Sequence, residues 1–206
     1  MAEGRFITLE GGEGTGKSTL ARGLGEALRA NGRDVVLTRE PGGAPGADAI
    51  RKLLVEGDAG RWSAMEEALL FAAARLNHLV HTIRPALARG AWVICDRYYD
   101  STRAYQVAAG GLDPRALNAL NALIEAPAPD LTLVLDLDST SGLGRSQGRY
   151  AGEDRFEKKD AGFHSRVRAE FLAIAKREPQ RCVVIDAGQS AEQVLKQSLS
   201  AIGARL

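Results

Sequence analysis

The sequence predicts an α/β fold, a five-stranded parallel sheet with helices on both faces. Along the 206 residues, short apolar runs alternate with stretches of helical periodicity, and this order is typical of βαβ units. The run at residues 92–95 is apolar throughout, as expected for a strand that helices cover on both sides. A chain of this length can bury a core without disulfides or structural metals, so we expect a single domain over residues 1–206.

Each element has a local signature. The first helix begins at about Lys17 and ends at Gly32, because leucines recur between them at every fourth position (Leu20, Leu24 and Leu28). Five apolar runs read as strands, at residues 6–9, 35–37, 92–95, 131–137 and 181–185.

Polar caps place three further helices. Ser63 with Glu66 forms a capping box, and the helical pattern then continues to Arg89, with a break at Pro85 and a stop at Gly90. Two later helices are predicted from their first residues, Asp113 with Pro114 and Ser190 with Gln193.

Composition excludes several classes of protein. Hydrophobic residues make up 45% and charged residues 26% of the chain, and the formal net charge is +1. An ordinary soluble globular protein is expected, and a dedicated nucleic-acid binder, which needs a strongly basic face, is not. We expect no membrane span and no signal peptide. Cys95 and Cys182 lie in apolar runs, so buried, reduced thiols and a cytoplasmic location are expected.

The strongest motif is a glycine-rich loop at residues 11–18. Its sequence GGEGTGKS matches G-x-x-x-x-G-K-[ST], and it lies between a predicted strand and a predicted helix. In such a loop Lys17 reaches the β- and γ-phosphates of ATP, and the Ser18 hydroxyl binds Mg²⁺. A turn that binds nothing is the alternative. The predicted ATP-binding residues are Gly11, Gly12, Glu13, Gly14, Thr15, Gly16, Lys17, Ser18 and Thr19.

The loop alone does not separate a kinase from a GTPase switch or an ATPase motor. A guanine-reading N-K-x-D string is absent from the sequence, and a motor would usually be longer. Asp96 and Arg97 directly follow the third strand, and Arg39 follows the second. Ligands collect at the carboxyl ends of parallel strands, so we expect Asp96 at the Mg²⁺ and the arginines at a second phosphate. A surface ion pair is the alternative. Two phosphate sites indicate a nucleoside monophosphate kinase.

Several strings of the sequence resemble the thymidylate kinase family, over residues 6–186. They are TREPGG at 38–43, DRY at 96–98, AYQ at 104–106 and DRFE at 154–157. The resemblance implies the three-layer P-loop NTPase fold and transfer of a phosphoryl group from ATP to dTMP, giving dTDP and ADP. It also implies a homodimer. Another monophosphate or deoxynucleoside kinase, and a non-catalytic nucleotide sensor, are the alternatives.

The resemblance also implies roles for individual residues. Phe71 would stack on thymine and Arg75, one helical turn away, would bind its carbonyl. Thr102 and Gln106 would face the base edge, and Tyr105 would lie beneath the sugar. In the alternative, the two aromatic residues are simply packed and Arg75 is on the surface. The full set expected to bind dTMP is Arg39, Phe71, Arg75, Arg97, Ser101, Thr102, Tyr105 and Gln106.

The last implied feature is a lid at about residues 142–157 that closes over the ATP phosphates. It contains Arg145, Arg149 and Arg155, whereas the glycine-rich loop carries Glu13 where other types have an arginine. This combination resembles the bacterial type of the family, in which lid arginines neutralise the transferring phosphoryl and Glu13 orients the acceptor site. A solvated charged helix is the alternative. The three histidines form no metal-binding spacing.

Overall fold

A computed structural model describes residues 4–138, 141–142 and 155–206. It contains five strands that form one sheet in the order β2-β3-β1-β4-β5, with every pair of neighbours parallel. This confirms the five-stranded parallel sheet. The strands are β1 (Arg5–Glu10), β2 (Val35–Arg39), β3 (Trp92–Asp96), β4 (Leu131–Asp136) and β5 (Cys182–Asp186).

Along the described chain, the helices lie between these strands, except for one that follows the last strand. They are α1 (Lys17–Ala30), α2 (Pro45–Val55), α3 (Ala64–His78), α4 (Arg84–Ala88), α5 (Tyr99–Thr102), α6 (Pro114–Leu123), α7 (Ala161–Arg177) and α8 (Ala191–Arg205). Two π-helical segments, Leu79–Ile83 and Arg103–Ala109, continue α3 and α5. Of these elements, α2, α5 with its π-helical segment, and α7 were not predicted.

The alternation of side chains along each strand divides the core into two layers. Ile7 and Leu9 of β1 pack with the apolar faces of α1 and α8, whereas Phe6 packs on the opposite face with Leu79 and Ile83. A third cluster joins β4 to α7 through Phe163, Val167 and Phe171. Helices therefore cover both faces, as the fully apolar third strand predicts.

The predicted caps are present, with one difference at Pro85. Side-chain hydrogen bonds form capping boxes at Ser63 and Ser190, and Asp113 caps α6. Pro85 causes no break, because the π-helical turn Leu79–Ile83 lies directly before it. In a regular α-helix the ring of Pro85 would clash with the carbonyl group of His81, four residues before it. His81 belongs to the π-helical turn, which relieves this clash.

Both cysteines are buried and free, as predicted. Within the described part of the chain, no helix is long and apolar enough to cross a bilayer.

Candidate active site

The register of the sheet brings the predicted phosphate residues to one edge. Leu9 at the end of β1 pairs with Asp96, and Asp96 also pairs with Arg39 at the end of β2. A cavity of about 520 Å³ opens there, between the glycine-rich loop, the ends of β2 and β3, and α3. Predicted residues that line it are Glu13, Gly14, Gly16, Lys17, Ser18, Thr19, Arg39, Phe71, Arg75, Asp96, Arg97, Ser101, Thr102, Tyr105 and Gln106.

The glycine-rich loop has the backbone that its sequence requires. Gly11, Gly14 and Gly16 have φ angles of 141°, 67° and 89°, in a region that other residues rarely adopt. A Cβ atom on Gly11 would also lie 2.4 Å from the carbonyl oxygen of Leu135. Gly16 is the N-cap of α1, so the loop ends at a helix N-terminus, where partial positive charge favours a phosphate.

Lys17 folds back over this loop. Its Nζ donates to the carbonyl oxygens of Gly12 at 2.6 Å and Gly11 at 3.2 Å, and to Thr15 Oγ1 at 3.2 Å. Burial, followed by the positive charge of Arg97, lowers the pKa of Lys17 to about 8. The ammonium group is therefore poorly compensated inside the protein, and an anionic phosphate would stabilise it.

Ser18 and Asp96, the two residues expected at Mg²⁺, are in direct contact. Ser18 Oγ donates to Asp96 Oδ2 at 2.6 Å, although 78 positions separate them in the chain. A hydroxyl and a carboxylate oxygen are both hard oxygen ligands, and Mg²⁺ in phosphoryl-transfer sites typically takes one or two such protein ligands. The pair therefore fits Mg²⁺.

Arg97 is the centre of the second cluster. Its guanidinium donates to the carbonyl oxygen of Gly11 at 2.9 Å, to Glu13 Oε1 at 2.8 Å and to Ser101 Oγ at 3.1 Å. The same group lies over the ring of Tyr105 and donates to its hydroxyl at 3.2 Å. Burial lowers the pKa of Arg97, but Glu13 and then Tyr105 and Asp96 outweigh burial and raise it above its usual value, so the guanidinium stays charged.

Glu13 is ionised by this arrangement. Burial raises the pKa of its carboxyl, but Arg97 and then Lys17 outweigh burial and lower it to about 2. The carboxylate also accepts a hydrogen bond of 2.8 Å from the Tyr105 hydroxyl. Glu13 therefore fixes two side chains expected at the acceptor, Arg97 and Tyr105, and its orienting role stays a prediction.

Arg75 is buried, not on the surface. Only 1% of it is exposed, and its Nε donates to Glu40 Oε2 at 2.8 Å while Nη2 donates to Thr102 Oγ1 at 3.0 Å. Glu40 also contacts His78 Nδ1 at 3.2 Å. Phe71, one turn before Arg75, is half-buried at the cavity wall. The sequence reasoning missed Glu40 as a functional residue, although it lies inside the TREPGG string.

Tyr105 and Gln106 have both packing and polar contacts. The Tyr105 ring packs edge-on against Phe163 and Phe171, so it is part of the core while its hydroxyl reaches Glu13. Gln106 Nε2 donates to Glu67 Oε2 at 2.7 Å, and the buried Gln106 Oε1 has no hydrogen-bond partner among the described residues. Gln106 also lines the cavity.

Only one of the three lid arginines lies among the described residues. Arg145 and Arg149 lie outside them, and their role stays a prediction. Arg155 is fully buried, with Nη1 at 2.7 Å from Glu67 Oε1 and Nε donating to the Leu54 carbonyl oxygen at 2.6 Å, and it is not among the described residues that line the cavity. Its expected contact with the ATP phosphates stays a prediction, and the structure shows this guanidinium paired with the carboxylate of Glu67.

Several further residues at the cavity were not predicted, among them two arginines and one phenylalanine. Arg22 and Arg51 bring cations to it, and Phe156 lies between Phe71 and Tyr105 with ring centroids at 6.2 and 5.7 Å. Arg22 follows Ser18 by one helical turn, so helical periodicity could have identified it. Phe156 belongs to the DRFE string, which was used only as a family signature.

Comparisons with known proteins point to one family. The family model described as Thymidylate kinase matches residues 9–198. The chain is 54% identical to the thymidylate kinase of Caulobacter vibrioides, over 94% of this chain and 93% of that protein. It is 53% identical to that of Rhizorhabdus wittichii, over 97% of each chain. The crystal structure of thymidylate kinase from Ehrlichia chaffeensis superposes with a TM-score of 0.79 at 34% identity, covering 97% of this chain and 99% of that one. The chain therefore belongs to the thymidylate kinase family.

Proposed function

We propose that the cavity holds both substrates at once, ATP at the glycine-rich loop and dTMP between Arg97 and α3. Membership of the family gives the reaction, in which the γ-phosphoryl of ATP is transferred to dTMP to form dTDP and ADP. One observation supports the placement above the others. Lys17 and Arg97 both donate to the carbonyl oxygen of Gly11, so the two cations adjoin and can bind two phosphates side by side.

The donor half is built from the loop and the start of α1. Lys17 binds the β- and γ-phosphates, and the N-terminus of α1 favours their negative charge. Ser18 and Asp96 would hold Mg²⁺, which neutralises charge on these phosphates when it is bound.

The acceptor half begins at Arg97. Arg97 binds the dTMP phosphate, and Glu13 and Tyr105 hold the guanidinium at the required position through the hydrogen bonds described above. The thymine ring stacks on Phe71. Arg75 reaches the base edge, because its Nη2 and its partner Thr102 lie at the cavity wall. Gln106 Oε1, which has no partner within the part of the chain that the structure describes, accepts from the N–H of the base.

The chemistry needs no side-chain nucleophile. A phosphate oxygen of dTMP attacks the γ-phosphorus of ATP, a new P–O bond forms, and the bond to the ADP oxygen breaks. The protein contributes by alignment of the two phosphates and by neutralisation of their charge. Lys17 and Arg97, which both donate to the Gly11 carbonyl oxygen, supply positive charge.

A coupled assay of ADP release tests the proposal across dTMP, dUMP, dCMP, dGMP and AMP. We expect dTMP to have the highest kcat/KM and dUMP to be second, since Phe71 and Arg75 suit a pyrimidine carbonyl. Phe71→Ala, as a matched variant, should raise the KM for dTMP without change in the KM for ATP. A preference for AMP or dGMP would contradict the acceptor half and leave the donor half standing.

We also propose a homodimer through the outer face of α3. Met65, Leu69, Leu76 and Val80 are 43%, 50%, 40% and 46% exposed, and with the exposed Ala73 they recur at intervals of three and four positions. Such spacing puts them on one side of the helix. A contiguous exposed apolar stripe of this kind is typical of a protein–protein contact.

A further inference from the structure

A fully buried carboxyl group lies next to the acceptor cluster and outside the set of described residues that line the cavity. It belongs to Glu10, the last residue of β1, which is 0% exposed. Glu10 Oε1 accepts from the backbone N–H of Tyr98 at 2.8 Å, and a hydrogen bond of 2.6 Å joins Oε2 to Ser101 Oγ. These two partners are 88 and 91 positions away in the chain.

Both partners of Glu10 control Arg97. Tyr98 directly follows it, so a fixed Tyr98 amide limits the rotation of the peptide between the two residues. Ser101 Oγ accepts from Arg97 Nη1 at 3.1 Å. Glu10 thus holds the backbone on one side of Arg97 and the hydroxyl that meets its guanidinium on the other.

Arg97 needs such support because its backbone is strained. Its φ angle is 69°, in the left-handed region where a long side chain is unfavourable. A strained residue persists only where its surroundings over-determine it. Arg97 N donates to the carbonyl oxygen of Leu9 at 2.9 Å, and the Glu10 contacts complete the support from the same end of β1.

We propose that Glu10 is a positioning residue, which holds Arg97 in the orientation that receives the acceptor phosphate. The inference rests on the proposed role of Arg97. Glu10 itself does not meet dTMP or ATP, so its loss acts on the acceptor site alone.

Glu10 can support Arg97 through hydrogen bonds alone, without a negative charge. Burial, and then the nearby carboxylate of Asp100, raise the pKa of Glu10 to about 8. This shift favours the neutral form of the carboxyl, and a glutamine is a close neutral mimic. Its amide oxygen can accept from the Tyr98 N–H while its amide nitrogen donates to Ser101 Oγ.

The test compares three single variants by steady-state kinetics at pH 7. Glu10→Met keeps the length of the side chain and removes both hydrogen bonds, and Glu10→Gln keeps them. Thr8→Val is the matched control. Thr8 lies on the same face of β1 as Glu10, and its substitution removes one buried hydrogen bond, to Thr132. We expect Glu10→Met to raise the KM for dTMP about 10-fold while the KM for ATP changes less than about twofold. Glu10→Gln and Thr8→Val should both resemble the wild type.

A second background separates this inference from the role of Arg97. In Arg97→Ala, Glu10→Met should add no further increase in the KM for dTMP, because the group that it positions is gone. An equal increase in both backgrounds, or an effect of Thr8→Val as large as that of Glu10→Met, would overturn the positioning role. If Glu10→Met does not fold, Ser101→Ala tests the same support and should raise the KM for dTMP. No change there would overturn the inference. If Arg97→Ala itself leaves that KM unchanged, the proposed acceptor site is wrong, and this inference falls with it.

Discussion

Substitution of Arg155 decides between a catalytic and an anchoring role for the end of the lid. In Arg155→Ala the ion pair with Glu67 is lost, and so is the hydrogen bond from Nε to the carbonyl oxygen of Leu54. The backbone N–H of residue 155 still donates to Val55 at 3.2 Å. The change therefore loosens the contact of this segment with the C-terminal end of α2 and with α3.

The expected cost is a loss of stability. Arg155 is 0% and Glu67 is 5% exposed, so the variant leaves a buried carboxylate that keeps, among the described residues, the hydrogen bond from Gln106. Removal of one partner of a buried ion pair costs about 3–5 kcal/mol. For a chain of this size the melting temperature falls by about 2–4 °C for each kcal/mol. A decrease of roughly 6–20 °C follows from these two values.

The assay combines urea denaturation, followed by far-ultraviolet circular dichroism, with coupled ADP release at a temperature where the variant is folded. We expect kcat at saturating ATP to stay within about threefold of the wild type, because the Arg155 guanidinium is paired with the carboxylate of Glu67. Arg89→Ala is the matched control, since its ion pair with Asp34 is half exposed on both sides. It should cost about 0–1 kcal/mol.

The opposite pattern would refute this reasoning. If Arg155→Ala kept its free energy of unfolding within about 1 kcal/mol and lost about 100-fold in kcat, the residue would be a phosphate ligand. The implied role of the lid arginines would then hold for Arg155, and its burial against Glu67 would not describe the enzyme during turnover.

Three further outcomes are expected. Lys17→Ala should abolish turnover, whereas Arg97→Ala should raise the KM for dTMP and also lower kcat. Equal effects of the two variants on kcat and on both KM values would contradict separate donor and acceptor roles. Binding of ATP near pH 9 should take up a proton, because the pKa of Lys17 is lowered to about 8 in the free protein and the phosphate charge raises it again. Calorimetry in buffers of different ionisation enthalpy measures this uptake. An uptake of zero protons would contradict a contact between Lys17 and the ATP phosphates. Leu69→Glu on the α3 stripe should convert a dimer to a monomer in sedimentation, while Val184→Glu on the edge strand β5, also exposed, should not; a monomeric wild type would remove the dimer proposal.

Features that depend on neighbouring residues were determined by the sequence. The glycine-rich loop needs positive φ angles at Gly11, Gly14 and Gly16, and glycine at those positions is visible without a fold. Capping boxes form between residues three apart, so those at Ser63 and Ser190 could be predicted from local spacing. The order of strands and helices, and with it the placement of Asp96 at the sheet edge, follows from the same local patterns.

Features that join distant parts of the chain were decided only by the tertiary structure. Arg75 is expected at the base from family resemblance, but its buried bond to Glu40 bridges 35 positions. The bond of Glu10 to the Tyr98 amide bridges 88 positions. Arg155 belongs to the same charged segment as the other lid arginines, yet it is buried against Glu67. The physical reason is that burial and the identity of the partner fix what a charged side chain does, and both arise from packing between elements that sequence spacing does not encode.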